Sequence, residues 1–168
     1  MIKMLILDVD GTMTDGKIYI NEYQECFKAF NVKDGMGISQ AANVGVIIAI
    51  ITGRTSKIVE VRAKELGISE VFQGVKNKKI IIQNLMDKYF IPSQNIAYIG
   101  DDINDLPAMK YVGFAACPND AAFEVKEYCD FVSKMNGGEG AVRDIIENIL
   151  RKDGRWNTII KEFKYINQ

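Results

Sequence analysis

Apolar residues along this chain gather in short continuous runs, with amphipathic stretches between them. Strand-like runs fall at 4–9, 45–52 (GVIIAIIT), 70–73, 95–100 (NIAYIG), 112–117 (VGFAAC) and 130–133. Helical spacing of apolar residues marks about 35–43, 56–66, 78–90, 103–110, 119–128 and 139–152. Val/Ile runs without polar alternation suit strands buried on both faces, and the intervening helices supply the crossovers that parallel pairing needs. The pattern predicts an α/β fold, a doubly wound parallel sheet covered on both faces, as a single domain over 1–168. Such sheets bind ligands at the carboxyl ends of their strands, around a switch in strand order.

Two segments break the alternation. GKIYINEYQECFKAF (16–30) places two short runs about a polar turn and predicts a protruding β-hairpin. Apolar residues occur on both of its faces: Ile18 and Ile20 lie opposite Tyr19, and Phe27 and Ala29 alternate with Cys26, Lys28 and Phe30. An isolated hairpin is marginal, so a partner subunit is expected to cover one face; the alternative is a hairpin lying on its own domain with a few exposed aromatics. In the tail, about 153–168, Trp156, Ile159, Ile160, Phe163 and Ile166 follow helical spacing, which predicts a helix docked by an apolar stripe.

Composition narrows the function. At 168 residues, 48% hydrophobic and 26% charged, with net charge −1, the chain reads as an ordinary globule with no electrostatic footprint for nucleic acid. Its apolar runs are too short to span a bilayer, and Asp8 and Asp10 interrupt the apolar start that a signal peptide needs. Cys26, Cys117 and Cys129 form no CxxC; they suit a reducing cytoplasm and read as small buried hydrophobes. There is no histidine. That removes Ser–His and Cys–His nucleophiles, HExxH zinc sites and histidine bases, and leaves proton transfer mainly to Asp, Glu, Lys, Tyr or Cys.

The chemistry-bearing residues end the predicted strands. DVDGT (8–12) closes the first, TGR (52–54) the second, and GDDINDLPAM (100–109) the fourth; Lys76, Lys78 and Lys79 follow the third. Each cluster alone has a plain reading as a turn, a cap or an acidic helix start. Together, in this order and at one sheet edge, they point to a site. Asp8 and Asp10 share a face if the strand runs on, and at about 5 Å they repel by roughly 3 kcal/mol at an effective dielectric near 20. A cation offsets that repulsion. The loop is not an EF-hand, because Gly11 stands fourth rather than sixth. Asp8 and Asp101, with the Asp10 backbone carbonyl, can converge on Mg²⁺. Asp8 is then the nucleophile on phosphorus, and Asp10 the acid and base, its proton affinity raised by the Asp8 charge. Thr52 and the Gly11–Thr12 amides hold phosphoryl oxygens, a lysine balances charge, and Asp105 with Asp102 orients the metal shell. No P-loop occurs, and GMGISQ (35–40) lacks the last glycine of a dinucleotide fingerprint.

From Asp8 through Asp105 this set of motifs resembles the haloacid dehalogenase superfamily of aspartyl-phosphate phosphatases, in that family's order. The resemblance implies a Rossmann-like core, and Asp10 implies the phosphatase branch. It also selects Lys78 as the phosphate lysine over Lys76 and Lys79. Residues 13–51 and 55–77 leave no room for a cap domain. DGKIYI, FNVKDGMGI, TGRTSKIVEVRAKELGI, VFQGVKNK, IAYIGDDINDLPAM and GGEGAVRD resemble the phosphatases of 3-deoxy-D-manno-octulosonate 8-phosphate (KDO 8-phosphate) and of nine-carbon sugar-acid phosphates. That resemblance implies a homotetramer joined through the hairpin, a sugar-acid phosphate substrate, and substrate contacts at Gly53 and Arg54. Lys33, Asp34, Arg62 and Arg143 are candidate sugar contacts; for Arg62 and Arg143 a solvated or salt-bridged surface position is the plainer reading. Glu139 in GGEG and Asp144 depart from the octulosonate pattern. A non-catalytic assembly module, related to domains attached to cytidylyltransferases, is the alternative from another class.

Overall fold

Six strands form one all-parallel sheet in the order β5-β4-β1-β6-β7-β8 in a computed structural model that describes residues 1–23 and 25–165. The strands are β1 (Met4–Leu7), β4 (Ile47–Ile51), β5 (Glu70–Phe72), β6 (Ile96–Ile99), β7 (Phe114–Cys117) and β8 (Phe131–Val132); β2 (Tyr19–Ile20) and β3 (Glu25–Phe27) pair antiparallel as the hairpin. The helices are α1 (Val32–Asn43), α2 (Lys57–Glu65), α3 (Lys78–Tyr89), α4 (Leu106–Met109), α5 (Phe123–Tyr128), α6 (Ala141–Lys152) and α7 (Arg155–Tyr165). The predicted α/β architecture without a cap is present, with each strand shorter than its apolar run.

The period of two divides the core. Leu5 and Leu7 join Ile48, Ile50, Ala97 and Ile99 under α1, α2, α6 and α7; Met4 and Ile6 join Ala49, Ile51, Tyr98 and Cys117 under α3, α4 and α5. The chain turns outward from β1 to β4 and β5 on one side, and resumes from β1 to β6, β7 and β8 on the other. The carboxyl ends of β1 and β6 therefore meet where the strand order reverses.

α1 begins three residues before the predicted 35–43, because the Asn31 side chain accepts from the Lys33 and Asp34 amides and caps it. Gly35 and Gly37 then lie inside the helix. A Cβ on Gly35 would stand 2.4 Å from Arg62 Nη2, and one on Gly37 2.9 Å from Arg143 Cδ, so glycine lets these arginine side chains lie against α1 despite its poor helix propensity. The region predicted as one helix over 103–110 divides into a 3₁₀ turn (Ile103–Asp105) and α4, with Pro107 in the first turn of α4. The 119–128 helix starts only at Phe123.

The hairpin leaves apolar side chains exposed on both of its faces. Lys28 is buried, whereas Ile18, Ile20, Tyr23 and Phe27 are exposed, and Tyr19 stacks on Phe27 with ring centroids 4.4 Å apart. Cys26 is exposed, unlike the buried Cys117 and half-buried Cys129, so the expectation of three core thiols holds for Cys117 fully and fails for Cys26. In α7, Trp156 and Ile159 are buried and Ile160 packs on the core, but Phe163 is 53% exposed; Ile166 lies outside the described residues. The Arg143 and Arg151 guanidiniums lie 4.7 and 5.6 Å from the Trp156 ring.

Asp34 ties α1 to the start of α6. Its Oδ1 accepts from the Arg143 amide at 2.7 Å, and burial pushes its carboxyl up to about 6, against hydrogen bonds from the Arg143 and Gly140 amides and the charges of Arg143 and Arg62. The folded value stands above the ordinary 3.8, so folded chains hold this proton more tightly than unfolded ones. Asp34 therefore favours folding at low pH, and that contribution is lost as pH rises through about 6. The native chain is expected to gain on the order of 3 kcal/mol relative to Asp34→Asn between pH 7 and pH 4. Urea unfolding across that range checks it, and a pH-independent difference contradicts it.

Candidate active site

β1 carries the chain straight to Asp8, whose amide still donates to the Ile99 carbonyl at 2.9 Å. The strand then closes on itself. The amides of Thr12, Met13 and Thr14 all return to the Val9 carbonyl, at 3.2, 2.9 and 3.1 Å. Gly11 has φ +89°, and a Cβ there would stand 2.0 Å from Asp101 Oδ2, so only glycine fits between the two loops. β4 delivers Thr52 and β6 delivers Asp101, while Lys78 is the first residue of α3.

These elements bring Asp8, Asp101 and Asp105 together, with ligand oxygens all within 4.8 Å of one another. Lys78 Nζ donates to Asp8 Oδ1 and to Asp105 Oδ1, each at 2.6 Å. Tyr98 Oη also donates to Asp105 Oδ1, at 2.7 Å, and the Asp101 and Asp102 amides donate to its Oδ2 at 3.0 and 3.3 Å. Asp105 has thus spent its acceptor capacity on the protein. It orients the Asp101 loop, as expected of it, and leaves Asp8 and Asp101 as the carboxylates with oxygens to spare. Thr12 Oγ1 donates to Asp101 Oδ1 at 3.2 Å.

The electrostatics follow from two buried acids, Asp8 and Asp105, the half-buried Asp101 and one buried base. Burial, then the Asp105 charge, pushes Asp8 up to about 7 against the pull of Lys78; the Asp10 charge comes last among these influences. Burial, then Asp8 and Asp105, pushes Asp101 up to about 7. Burial pulls Lys78 down, but Asp8 and Asp105 outweigh it and hold the ammonium above its ordinary value. Hard oxygen donors with surplus negative charge, most of them already oriented by hydrogen bonds, fit a small divalent cation such as Mg²⁺.

Asp10 lines the same cleft as Asp8 and its charge acts on Asp8. The chain leaves the sheet before it, and cations also stand beside it. Lys28 of the hairpin contacts Asp10 Oδ1, and Arg54 Nε lies 3.7 Å from Asp10 Oδ2. Lys28 also lies 2.8 Å from Glu25 Oε1, Arg54 Nη2 lies 3.8 Å from the same oxygen, and Ser56 Oγ donates to Glu25 Oε2 at 2.5 Å. The acid facing Asp8 is Asp105, and the cation offsetting it is in part Lys78. The hairpin residues Glu25 and Lys28 escaped the sequence reading; a lysine among apolar positions of a short strand was the available signal.

A cleft of about 270 Å³ opens above these groups, lined by Asp8, Asp10, Gly16, Thr52, Gly53, Arg54, Asp101, Asp102 and Asn104. Gly16 and Asn104 are additions to the expected set. Lys78, Thr12 and Asp105 lie buried behind it, whereas Lys76 is exposed and Lys79 stands over the Tyr111 ring at 4.5 Å. The candidate sugar contacts are not at this cleft. Lys33 and Arg143 line a second cavity of about 270 Å³ with Asn31, Glu139 and Asp144. Asp34 is engaged at α6, and Arg62 Nη1 pairs with Glu65 Oε2 at 2.8 Å while its guanidinium stands 5.6 Å from the Phe30 ring. Within one chain, Asp34 and Arg62 hold elements together.

The family model of haloacid dehalogenase-like hydrolases matches residues 47–146. The 3-deoxy-D-manno-octulosonate 8-phosphate phosphatase of Escherichia coli K12 is 44% identical over 154 residues, 92% of this chain and 82% of that protein. The crystal structure of the Moraxella catarrhalis phosphatase of the same name, in complex with magnesium, phosphate and KDO, superposes with TM-score 0.92 at 40% identity, over 96% of this chain and 93% of that one. The cobalt-bound Haemophilus influenzae phosphatase superposes with TM-score 0.88 at 37% identity, over 91% and 90% of the two chains.

Removing one partner from a buried ion cluster leaves uncompensated charge, at a cost of about 3–5 kcal/mol. Lys78→Met, which sets Asp8 and Asp105 face to face, is expected to lower unfolding free energy by about that much in metal-free buffer. Denaturant titration measures it, and a loss under about 1 kcal/mol rejects the charge-balancing role.

Proposed function

The chain belongs to the haloacid dehalogenase-like hydrolase family, and from that premise we propose that it hydrolyses KDO 8-phosphate to KDO and inorganic phosphate, with Mg²⁺ as cofactor. The observation that carries this reading is the buried Asp8 carboxylate, held by Lys78 at 2.6 Å and open to a cleft that Asp101, Thr52 and Arg54 also line. A relative 40% identical was crystallised with magnesium, phosphate and KDO.

Asp8 and Asp101 would hold the cation with the Asp10 backbone carbonyl; when bound, it supplies a Lewis acid that neutralises phosphoryl charge. An Asp8 oxygen attacks phosphorus, and the bond from phosphorus to the sugar oxygen breaks. The electron pair goes to that oxygen, which takes a proton from Asp10. Water then attacks the aspartyl phosphate, gives its proton to Asp10, and returns the Asp8 carboxylate. Lys78 compensates charge on the transferring group, while Thr52 and Gly53 bind its oxygens; the Gly11 and Thr12 amides, expected to share that task, are instead given to Thr14 Oγ1 at 3.3 Å and to the Val9 carbonyl at 3.2 Å. Arg54, its side chain 48% exposed at the cleft, meets the substrate's carboxylate. Asp102 and Asp105 keep Asp101 in place. No helix among the described residues is long and apolar enough to cross a membrane, which suits action on a small sugar-acid phosphate in the cytoplasm.

The exposed Ile18, Ile20, Tyr23 and Phe27 favour assembly of four copies through the hairpin.

Release of phosphate from KDO 8-phosphate, with Mg²⁺ and with EDTA, tests the reaction. Activity lost in EDTA and abolished in Asp8→Asn is expected, and an unchanged rate in Asp8→Asn rejects the mechanism. Preference for a nine-carbon sugar-acid phosphate would replace the substrate; hydrolysis of neither, with assembly intact, would favour the module. In sedimentation at micromolar concentration a tetramer is expected, with Ile20→Glu shifting it to smaller species. A single monomer peak for the native chain contradicts the assembly.

A further inference from the structure

Lys28 is a buried lysine outside every assigned role. Its side chain is 2% exposed, and its ammonium meets two carboxylates, Asp10 Oδ1 and Glu25 Oε1. Buried ion pairs add little net stability compared with apolar packing, so the fold alone gives slight reason for it. The hairpin that carries it is short, two residues paired with three, with a register shift between Tyr19 and Ile20. Such a hairpin cannot hold itself in place. On its inner side Lys28 on Asp10 and Glu25 on Ser56 are polar anchors to the core.

We propose that Lys28 is a positioning residue for Asp10: by holding Oδ1 from behind, it turns Oδ2 toward the cleft, where the oxygen of the departing sugar must collect its proton. This rests on the phosphatase reading above. Lys28 does not line the cleft itself, so it touches neither substrate nor phosphorus and acts only through Asp10. Arg54, at 3.7 Å from Oδ2, occupies the cleft side of the same carboxyl. The docked hairpin thereby becomes part of the proton-transfer geometry, although none of its residues reacts.

A leaving-group comparison separates this role from a merely structural one. A sugar alkoxide needs a proton as it departs, whereas 4-nitrophenolate leaves without one, and positioned general acids contribute about 10²–10⁴-fold. First-turnover release is measured by rapid quench, with Mg²⁺, on KDO 8-phosphate and on 4-nitrophenyl phosphate, for the full native chain, Lys28→Met and Lys28→Arg. Lys28→Met is expected to slow the sugar phosphate at least ~30-fold more than the nitrophenyl ester, with Lys28→Arg recovering most of the difference. Equal slowing of both esters, or of neither, overturns the proposal while leaving the phosphatase reading intact. Absence of turnover by the native chain on either ester is instead a failure of that reading, and the proposal falls with it. Should hydrogen exchange at the Glu25–Phe27 amides show that Lys28→Met undocks the hairpin, Glu25→Gln, which removes the lysine's second partner, carries the same comparison. A smaller split in the same direction supports the proposal, and equal slowing overturns it.

Discussion

The contact between Lys78 and the carboxylates of Asp8 and Asp105 governs the rest of the structure. It places three acids and one base at the carboxyl edge of β1 and β6, with Asp8, Asp105 and Lys78 largely shut off from solvent. Without the ammonium, Asp8 and Asp105 could not both stay ionised at that separation. With it, surplus negative charge remains, and burial turns that surplus into raised proton affinity at Asp8 and Asp101. A pocket in this state competes strongly for a cation. The neighbouring backbone is shaped to preserve it: Gly100 lets Asp105 approach so closely that a Cβ would stand 2.4 Å from its carboxyl carbon, and Gly11 does the same for Asp101.

A second ionic group lies beside the first and differs from it in balance. Asp10 and Glu25 face Lys28 and Arg54, two acids against two bases. The inner group is charged and enclosed; the outer one is neutral and half open. A divalent cation therefore fits the inner group, where Asp8 and Asp101 have oxygens to spare, better than the outer one. One tetrapeptide, Asp8 to Gly11, serves both groups because the chain leaves the sheet between its two acids.

What could be read from the sequence divides along the same line. The sheet was visible because continuous Val/Ile runs have no other comfortable home, and the inner site because Asp8, Thr52 and Asp101 each stand just beyond such a run, while the choice of Lys78 over Lys76 and Lys79 came from the family resemblance. The first turn of α1, residues 32–34, was not visible, since it precedes the apolar spacing and depends on the Asn31 cap. Asp34 and Arg62 looked like substrate ligands because they are charged; the structure uses both to join elements, a use that depends on tertiary neighbours and leaves no local pattern. The surroundings of Asp10 were misread for a related reason. A period-two argument assumes the strand continues, and here three amides fold back on Val9.

The outer group is also where the molecule is joined around a loop. The hairpin ends at Phe30 and Asn31, and Asn31 caps α1. Asp34 on α1 holds the start of α6. Just before α6, Gly137 and Gly138 press on the nucleophile loop so tightly that a Cβ on Gly137 would stand 1.9 Å from the Gly11 carbonyl oxygen, while the Gly138 amide donates to the Thr12 carbonyl at 3.2 Å. From that loop, Asp10 returns to Lys28 and the hairpin. Each link is a packed contact or a hydrogen bond between buried or half-buried groups, with little slack. Movement of the hairpin would therefore bear on Asp10 directly through Lys28, and the loop after β1 is held from two sides, by the hairpin and by the turn that precedes α6.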